Sequence, residues 1–385
     1  MHRTRVLIAS LIVAAVAGAH PAVARPSVPM KACGSWELVS SPNVGSAANQ
    51  LFGVAAVSPT DVWAVGSRIN GTVFRTLVLH WDGTTWAVVP SPNVGGRTNA
   101  LAAVTVVSAS DAWAVGHYDD GATFRTLVLH WNGTAWAVVP SPNAGSGENA
   151  LAAVTAIGAG DVWAAGYRTP AAGSARLTLT EHWDGGSWKV VASASMGSDD
   201  NFLFGVSAAS GRGVWAVGAF SVPWLQTLTE HWDGTKWTVV PSPNFGDGDN
   251  VLYAAVSLPH GSVVAVGDHL GGLGDRTLVE RWDGAAWSGV ESPSPGGYLN
   301  ELFGVAATGS RDVWAVGFGQ ASIGQMSRTL ALHWSGNRWR AEPTPNPGST
   351  GNVLTAVARV PGTTEFWAVG RYADTGDRTL VLHRC

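Results

Sequence analysis

Cysteine is almost missing from this chain, with two in 385 residues, Cys33 and Cys385, so one bridge is the most that disulfide chemistry can supply. Charge is also sparse and slightly acidic. The formal net charge is −4, and −6 once Arg3 and Arg5 leave with an export leader, which argues against a nucleic-acid surface. Long apolar runs are absent past the start. Residues 6–18 form an apolar stretch of thirteen, too short to span a bilayer, and no later stretch is longer, so no transmembrane segment is expected. The same stretch, after Arg3 and Arg5 and before Ala22-Val23-Ala24, reads as a signal peptide over 1–24. A short linker, 25–32, follows it. The expected mature protein is secreted and extracellular. Lys31 does not fit a lipobox before Cys33, which argues against a lipid anchor there.

What the chain has in abundance is itself. HWDGTTWAVVPSPN at 80–93 returns as HWNGTAWAVVPSPN at 130–143, and DVWAVG at 61–66 recurs in some form seven times, spaced by close to fifty residues. A fixed period of this size decides architecture before any local reading does. Units begin near 41, 91, 141, 193, 242, 292 and 344. The last stops at LVLHRC before its closing Trp, while the chain after the leader opens with CGSWELVSSPN, a tail half without a front. Joined, the two fragments make a seventh complete unit, so the repeats close on themselves.

Each unit holds four short runs of β-branched and aromatic residues, exemplified by 51–57, 62–67, 76–81 and 86–90, divided by turn residues. These predict four antiparallel strands. A lone four-stranded sheet exposes both faces, so seven must stack, and radial stacking without terminal caps is the all-β solution of a seven-bladed β-propeller over 33–385, closed by the N-terminal strand joining the last blade. Gly53, Ala103, Ala153, Gly205, Ala254, Gly304 and Ala356 stand at one position of the first strand, as crowding at an axis requires.

VWAVG followed by HWDGTTWAVVPSP resembles the kelch repeat of galactose-oxidase-like propellers. In that repeat an apolar-aromatic strand ends in glycine and an aromatic-Asp turn leads into a Trp that opens the last strand. The resemblance spans the mature chain, with one glycine where kelch units carry a pair. DGTTW is also similar to a shortened Asp-box of sialidase-type propellers, and WD at a strand end to WD40 units. Galactose oxidase holds copper with tyrosine, histidine and a Cys-Tyr crosslink. The five tyrosines here, Tyr118, Tyr167, Tyr253, Tyr298 and Tyr372, make no such constellation, and no cofactor or metal is expected.

The recurrent polar residues read as structural. His80, His130, His182, His231, His333 and His383 share one third-strand position, roughly 10 Å outside the innermost strand, and cannot meet on one ion. Asn49 and its six equivalents precede the first strand and read as a bend, with a polar ring at the channel mouth as the functional alternative. Acidic clusters are thin, with only Asp199, Asp200, Asp247 and Asp249 able to gather Ca²⁺ or serve as acid and base. Variation concentrates instead in the loops between second and third strands, where binding usually resides on a uniform scaffold. Candidate ligand-binding residues there are Trp224, Tyr118, Tyr167, Tyr372, Arg371 and Asp119. The expected function is a monomeric secreted binding module for extracellular carbohydrate or peptide. The alternatives are a glycoside hydrolase or lyase working through loop carboxylates, and a structural cell-surface protein.

Both cysteines fall at the junction of the rebuilt seventh unit, so a Cys33–Cys385 bridge is expected in an oxidising compartment. Peptide mapping without reductant should recover the two as one linked pair. Two free thiols in protein folded under oxidising conditions would remove the bridge from the account.

Overall fold

The computed structural model describes residues 34–208, 213–272 and 274–385. The leader, the linker and Cys33 lie outside them. Among the described residues the chain forms seven separate four-stranded antiparallel sheets, and a single 3-10 turn at Pro259–Gly261 is the one helical element. In the first blade the strands are Asn49–Ser58, Asp61–Asn70, Val73–Trp81 and Trp86–Val88, in that order from the axis outward. Six blades follow this plan. The seventh takes Gly351–Arg359, Phe366–Ala373 and Asp377–Arg384 from the end of the chain and Glu37–Leu38 from its start, with Glu37 opposite His383 and Leu38 opposite Leu382. The ring therefore closes as the half-repeats require.

Crowding at the axis is severe. A Cβ added to Gly53 would lie 2.9 Å from the Cα of Ala103 in the next blade, and Gly304 stands in the same relation to Ala356. All seven first strands carry a β-bulge one residue before this point, as between Leu51 and Gly53. The motif glycine faces that bulge: a Cβ on Gly66 would lie 2.0 Å from the carbonyl oxygen of Gln50. VWAVG ends in glycine because any side chain there would collide with backbone.

Between blades the packing unit is a tryptophan from one blade set against two of the next. Trp63 lies 4.8 Å from Trp131 and 5.2 Å, edge-on, from Trp136. Trp113, Trp163 and Trp215 repeat the arrangement, and Trp367 of the last blade makes it with Trp81 and Trp86 of the first. Edge-to-face contact sets the positive rim of one ring on the negative face of another. Two interfaces depart from the pattern. Arg384 stands where a Trp is expected and covers Trp314 as a cation 4.4 Å from the ring centre, beside Trp36. Val264 of the fifth blade replaces the inserted Trp and leaves a void of about 40 Å³ bordered by Arg281, Trp334 and Trp339.

The linkers are pinned as regularly. The amide of Thr76 donates to Asn93 Oδ1 at 3.0 Å, and its hydroxyl lies 2.9 Å from Ser91 Oγ. Equivalent bonds tie each linker to the third strand of its own blade. In the closing blade Thr379 takes Asn43 (2.9 Å) and Ser41 (2.8 Å) from the N-terminal segment. SPN is thus the clasp that returns the chain from the rim to the axis.

Trp136→Ala removes a ring from a filled interface and should lower stability by about 3–5 kcal/mol in thermal or denaturant unfolding. Val264→Trp faces a void and should leave the melting temperature near wild type, whereas Val65→Trp, at a fully buried site, should unfold the protein. Equal damage from both insertions would show that the fifth blade has no space to fill.

Candidate ligand-binding face

Two ends of the ring differ in character. At the end carrying the turns between first and second strands, the motif Asp meets the histidine of HW: His80 Nε2 lies 2.8 Å from Asp61 Oδ1, and His130, His182 and His333 pair likewise with Asp111, Asp161 and Asp312. His383 uses Glu365 at 3.2 Å. Each of these histidines also lies against the Trp of its own blade, as His80 does against Trp63 at 4.3 Å. On the same end, Asp82 Oδ1 accepts the amides of Thr84 and Thr85, both at 2.8 Å, and those bonds lower its pKa to about 2. These groups spend their polarity inside their own blade, as the repeat pattern implies.

The opposite end carries the linkers and the variable loops. All seven asparagines are buried there. Asn49 Oδ1 accepts the Val44 amide at 2.9 Å while Nδ2 donates to the carbonyls of Val44 and Ala47. The others close equivalent knots, so the ring of asparagines shapes the linkers and presents no polar atoms to a ligand. Asp200 and Asp249 also hold backbone: their Oδ1 atoms accept the amides of Arg176 (2.8 Å) and Leu225 (2.9 Å). Among the described residues no three of His, Cys, Asp and Glu gather as a metal site.

The structure separates the candidate residues. Tyr167 is buried against Phe202, under Arg176, and burial raises its pKa to about 12. Arg371 is paired with Asp377 at 2.9 Å, and Asp119 faces Arg97 at 3.7 Å while accepting the Gly121 amide. Tyr118 and Tyr372 are half-buried against the cores of the second and last blades. Trp224 alone among the six is exposed, at 53%. It is the one tryptophan outside the repeat register and caps the hairpin between Val214–Val222 and Trp224–Trp232.

Beside that hairpin lies an open cleft of about 870 Å³. Its wall is the long loop of the third blade, from Thr169 to Arg176, with Glu148, Asp199, Asp200 and Ser221 completing it. Arg176 bridges the cleft acids, 3.2 Å from Glu148 Oε2 and 3.2 Å from Asp200 Oδ2, and its guanidinium covers Tyr167 and Phe202. From there an aromatic arc follows the first strands around the axis: Phe202 to Phe204 at 5.5 Å, Tyr253 at 5.5 Å, Phe303 at 5.1 Å. Sequence reasoning missed this arc. Its rings sit at or beside bulges, where the strand alternation that would have flagged them is broken.

Sequence reasoning also missed three carboxyls. Glu181, Glu230 and Glu280 are fully buried at the third-strand position that Leu79, Leu129, Leu332 and Leu382 occupy in the other blades. Burial drives the pKa of each to about 8. The signal was EHW and ERW where other units read LHW.

No family model matches the chain, and no curated protein does. Solved structures do. One described as YCF48 bound to a D1 peptide superposes with a TM-score of 0.55 at 13% identity, covering 94% of this chain and 99% of that one. A polysaccharide lyase, an ulvan lyase bound to GlcA(1-4)Rha3S, gives a TM-score of 0.52 at 10% identity, covering 88% of this chain and 94% of that one. At such identities the likeness establishes the fold alone, and the class is a seven-bladed β-propeller.

The buried carboxyls predict a pH dependence. Below pH 4.5 Glu181 is neutral whether folded or unfolded. Between about 4.5 and 8 only the unfolded chain releases the proton, so stability falls as pH rises and levels off above 8. Glu181→Leu, which copies the other blades, should melt higher than wild type, with a larger gap at pH 8 than at pH 4. A gap that does not grow with pH would show that the carboxyl is solvated.

Proposed function

We propose that this protein is an extracellular binding module, a kelch-like propeller that uses the face carrying its variable loops to hold a peptide or carbohydrate. The observation that carries the reading is Trp224, exposed at the tip of the hairpin whose Ser221 lines the cleft, while nineteen other tryptophans keep to repeat positions. A large ring left in water at a hairpin tip contributes nothing to the blade cores, whereas such rings supply much of the energy of binding sites. The variable loops and the cleft lie on the same face, as binding loops do on rigid scaffolds. Export by the signal peptide places the module outside the cell in this reading.

The catalytic alternative needs one carboxyl free to donate a proton and another free to accept one. Glu148 and Asp200 are both held by Arg176, an arrangement suited to fixing the cleft's shape. A ligand likeness to the ulvan lyase or to the peptide-bound propeller is part of the same proposal and rests on shared fold.

The test is a glycan and peptide array screen of the mature protein, followed by titration of Trp224→Ala. Binding should weaken by about 1–3 kcal/mol with the melting temperature unchanged. Tyr118→Ala and Tyr372→Ala should lower the melting temperature, because both rings pack on blade cores. Normal binding by Trp224→Ala would move the site elsewhere, and release of unsaturated or reducing ends from a bound polysaccharide would replace the module with an enzyme.

A further inference from the structure

Nine large apolar side chains are exposed among the described residues, and their placement is uneven. Leu38, Val88, Val138 and Val190 sit on outermost strands. The other five, Val222, Trp224, Leu270, Ile323 and Met326, all belong to the tips between second and third strands of three consecutive blades, the fourth to the sixth. Ile323, at 74%, is the most exposed of all. Isolated apolar residues on a surface need no account, but a run along one rim of one face marks an interaction surface.

The chemistry of that rim selects its occupant. Sugar rings stack on aromatic faces, and four of these five side chains are aliphatic or thioether, which bury well only against another protein's apolar atoms. Beside Trp224 the charge has one sign, while Arg276 and Arg328 stand at the roots of the fifth- and sixth-blade tips. The hairpin tip of the fourth blade is held between two linkers: Ser221 N bonds to Asp200 O at 2.9 Å on one side, and Leu225 N to Asp249 Oδ1 at 2.9 Å on the other. Those linkers also carry Asp199 and Asp247, both exposed, the first one residue from Asp200 and the second between Gly246 and Gly248, which lie against Leu270. Segments 193–200, 218–227 and 241–250 contain no Lys or Arg, and Arg176 is already shared by Glu148 and Asp200.

We infer that the rim of the fourth to sixth blades docks a basic, aliphatic polypeptide segment of a partner protein, with a Lys or Arg side chain laid on Trp224 between Asp199 and Asp247. The cation gains from the ring face and from the flanking carboxylates together, and its methylene stem covers the ring. The apolar residues that follow in the segment then reach Leu270 and Ile323. This inference rests on the binding-module reading and names the ligand class for it. A neutral glycan would draw nothing from the acidic flanks, and an acidic polysaccharide would be repelled by them.

The experiment uses the full mature chain and fluorescein-labelled decapeptides containing two lysines among Leu, Val, Ser and Gly, beside acetyl-lysine and glutamate versions of the same peptides. Anisotropy titration should show binding of lysine peptides that weakens as salt rises and is lost in the acetylated and glutamate versions. Trp224→Ala and the double change Asp199→Asn with Asp247→Asn should each weaken binding by about tenfold, and Ile323→Ser by a smaller factor, with unaltered melting temperatures. Lysine and acetyl-lysine peptides binding equally, or glycans binding through Trp224 while every peptide fails, would overturn the inference and leave the binding module standing. Peptides that bind independently of Trp224 would also overturn it, and if neither peptides nor glycans bind, both readings fall.

Discussion

Every blade of this propeller but the fifth lends a tryptophan to the next, and most of the molecule follows from that exchange. Trp63 finishes the second blade's core and Trp367 finishes the first's, so no sheet completes its hydrophobic packing alone. Only a closed ring gives every inserted ring a receptor. The near-identity of the units is then a packing requirement, since each interface must accept the same three side chains in the same geometry. Departures are local. Arg384 substitutes a cation for an indole over Trp314, and Val264 leaves a small void without disturbing the blades on either side.

The architecture was legible because its signals repeat. The period, the split seventh unit and the small residues at the axis each pointed to a closed ring, and the structure shows each in place: Glu37 opposite His383, and Gly53 against Ala103. Bonding partners were less legible. SPN reads as turn composition, and nothing in it announces that Asn93 will accept the amide of Thr76, because that bond joins segments seventeen residues apart. The asparagine knots were anticipated as bends, since Asn favours such bonding over a few residues. The candidate face was least legible. Tyr167 and Arg371 look like surface residues in one dimension and prove to be inward or paired, because loop length sets which way a side chain turns and one sequence does not encode a neighbour's position. Trp224 was correctly singled out as irregular, and its exposure is consistent with that irregularity. Glu181, Glu230 and Glu280 escaped notice because a charged residue in an alternating strand is ordinarily read as facing water.

The division of labour between the two ends of the ring has a chemical logic. At one end, histidine, aspartate and turn groups are saturated by partners a strand or a turn away, and they repeat with little change. At the other, hairpins and loops differ in length from blade to blade while buried asparagines hold the linkers beneath them fixed. Rigid roots under variable tips allow the tips to diverge without cost to the core. The cleft, the exposed apolar run and the acidic linkers all lie on that variable end.

The clasp between Thr379 and Asn43 joins residues separated by nearly the whole chain. Synthesis from the N-terminus delivers the Asn43 segment first and its partner strand last. During that interval the first six blades can assemble in order, yet the ring has an open seam with Trp367 still missing from its place against Trp81 and Trp86. Final folding is therefore a single late event, the arrival of the last forty or so residues between two waiting surfaces, and contacts of such separation form slowly. A chain cut short near its end would present an unsealed wedge of tryptophan to its surroundings, so the fold carries its own check on complete synthesis: a full-length chain buries that surface, and a truncated one displays it to whatever removes damaged protein.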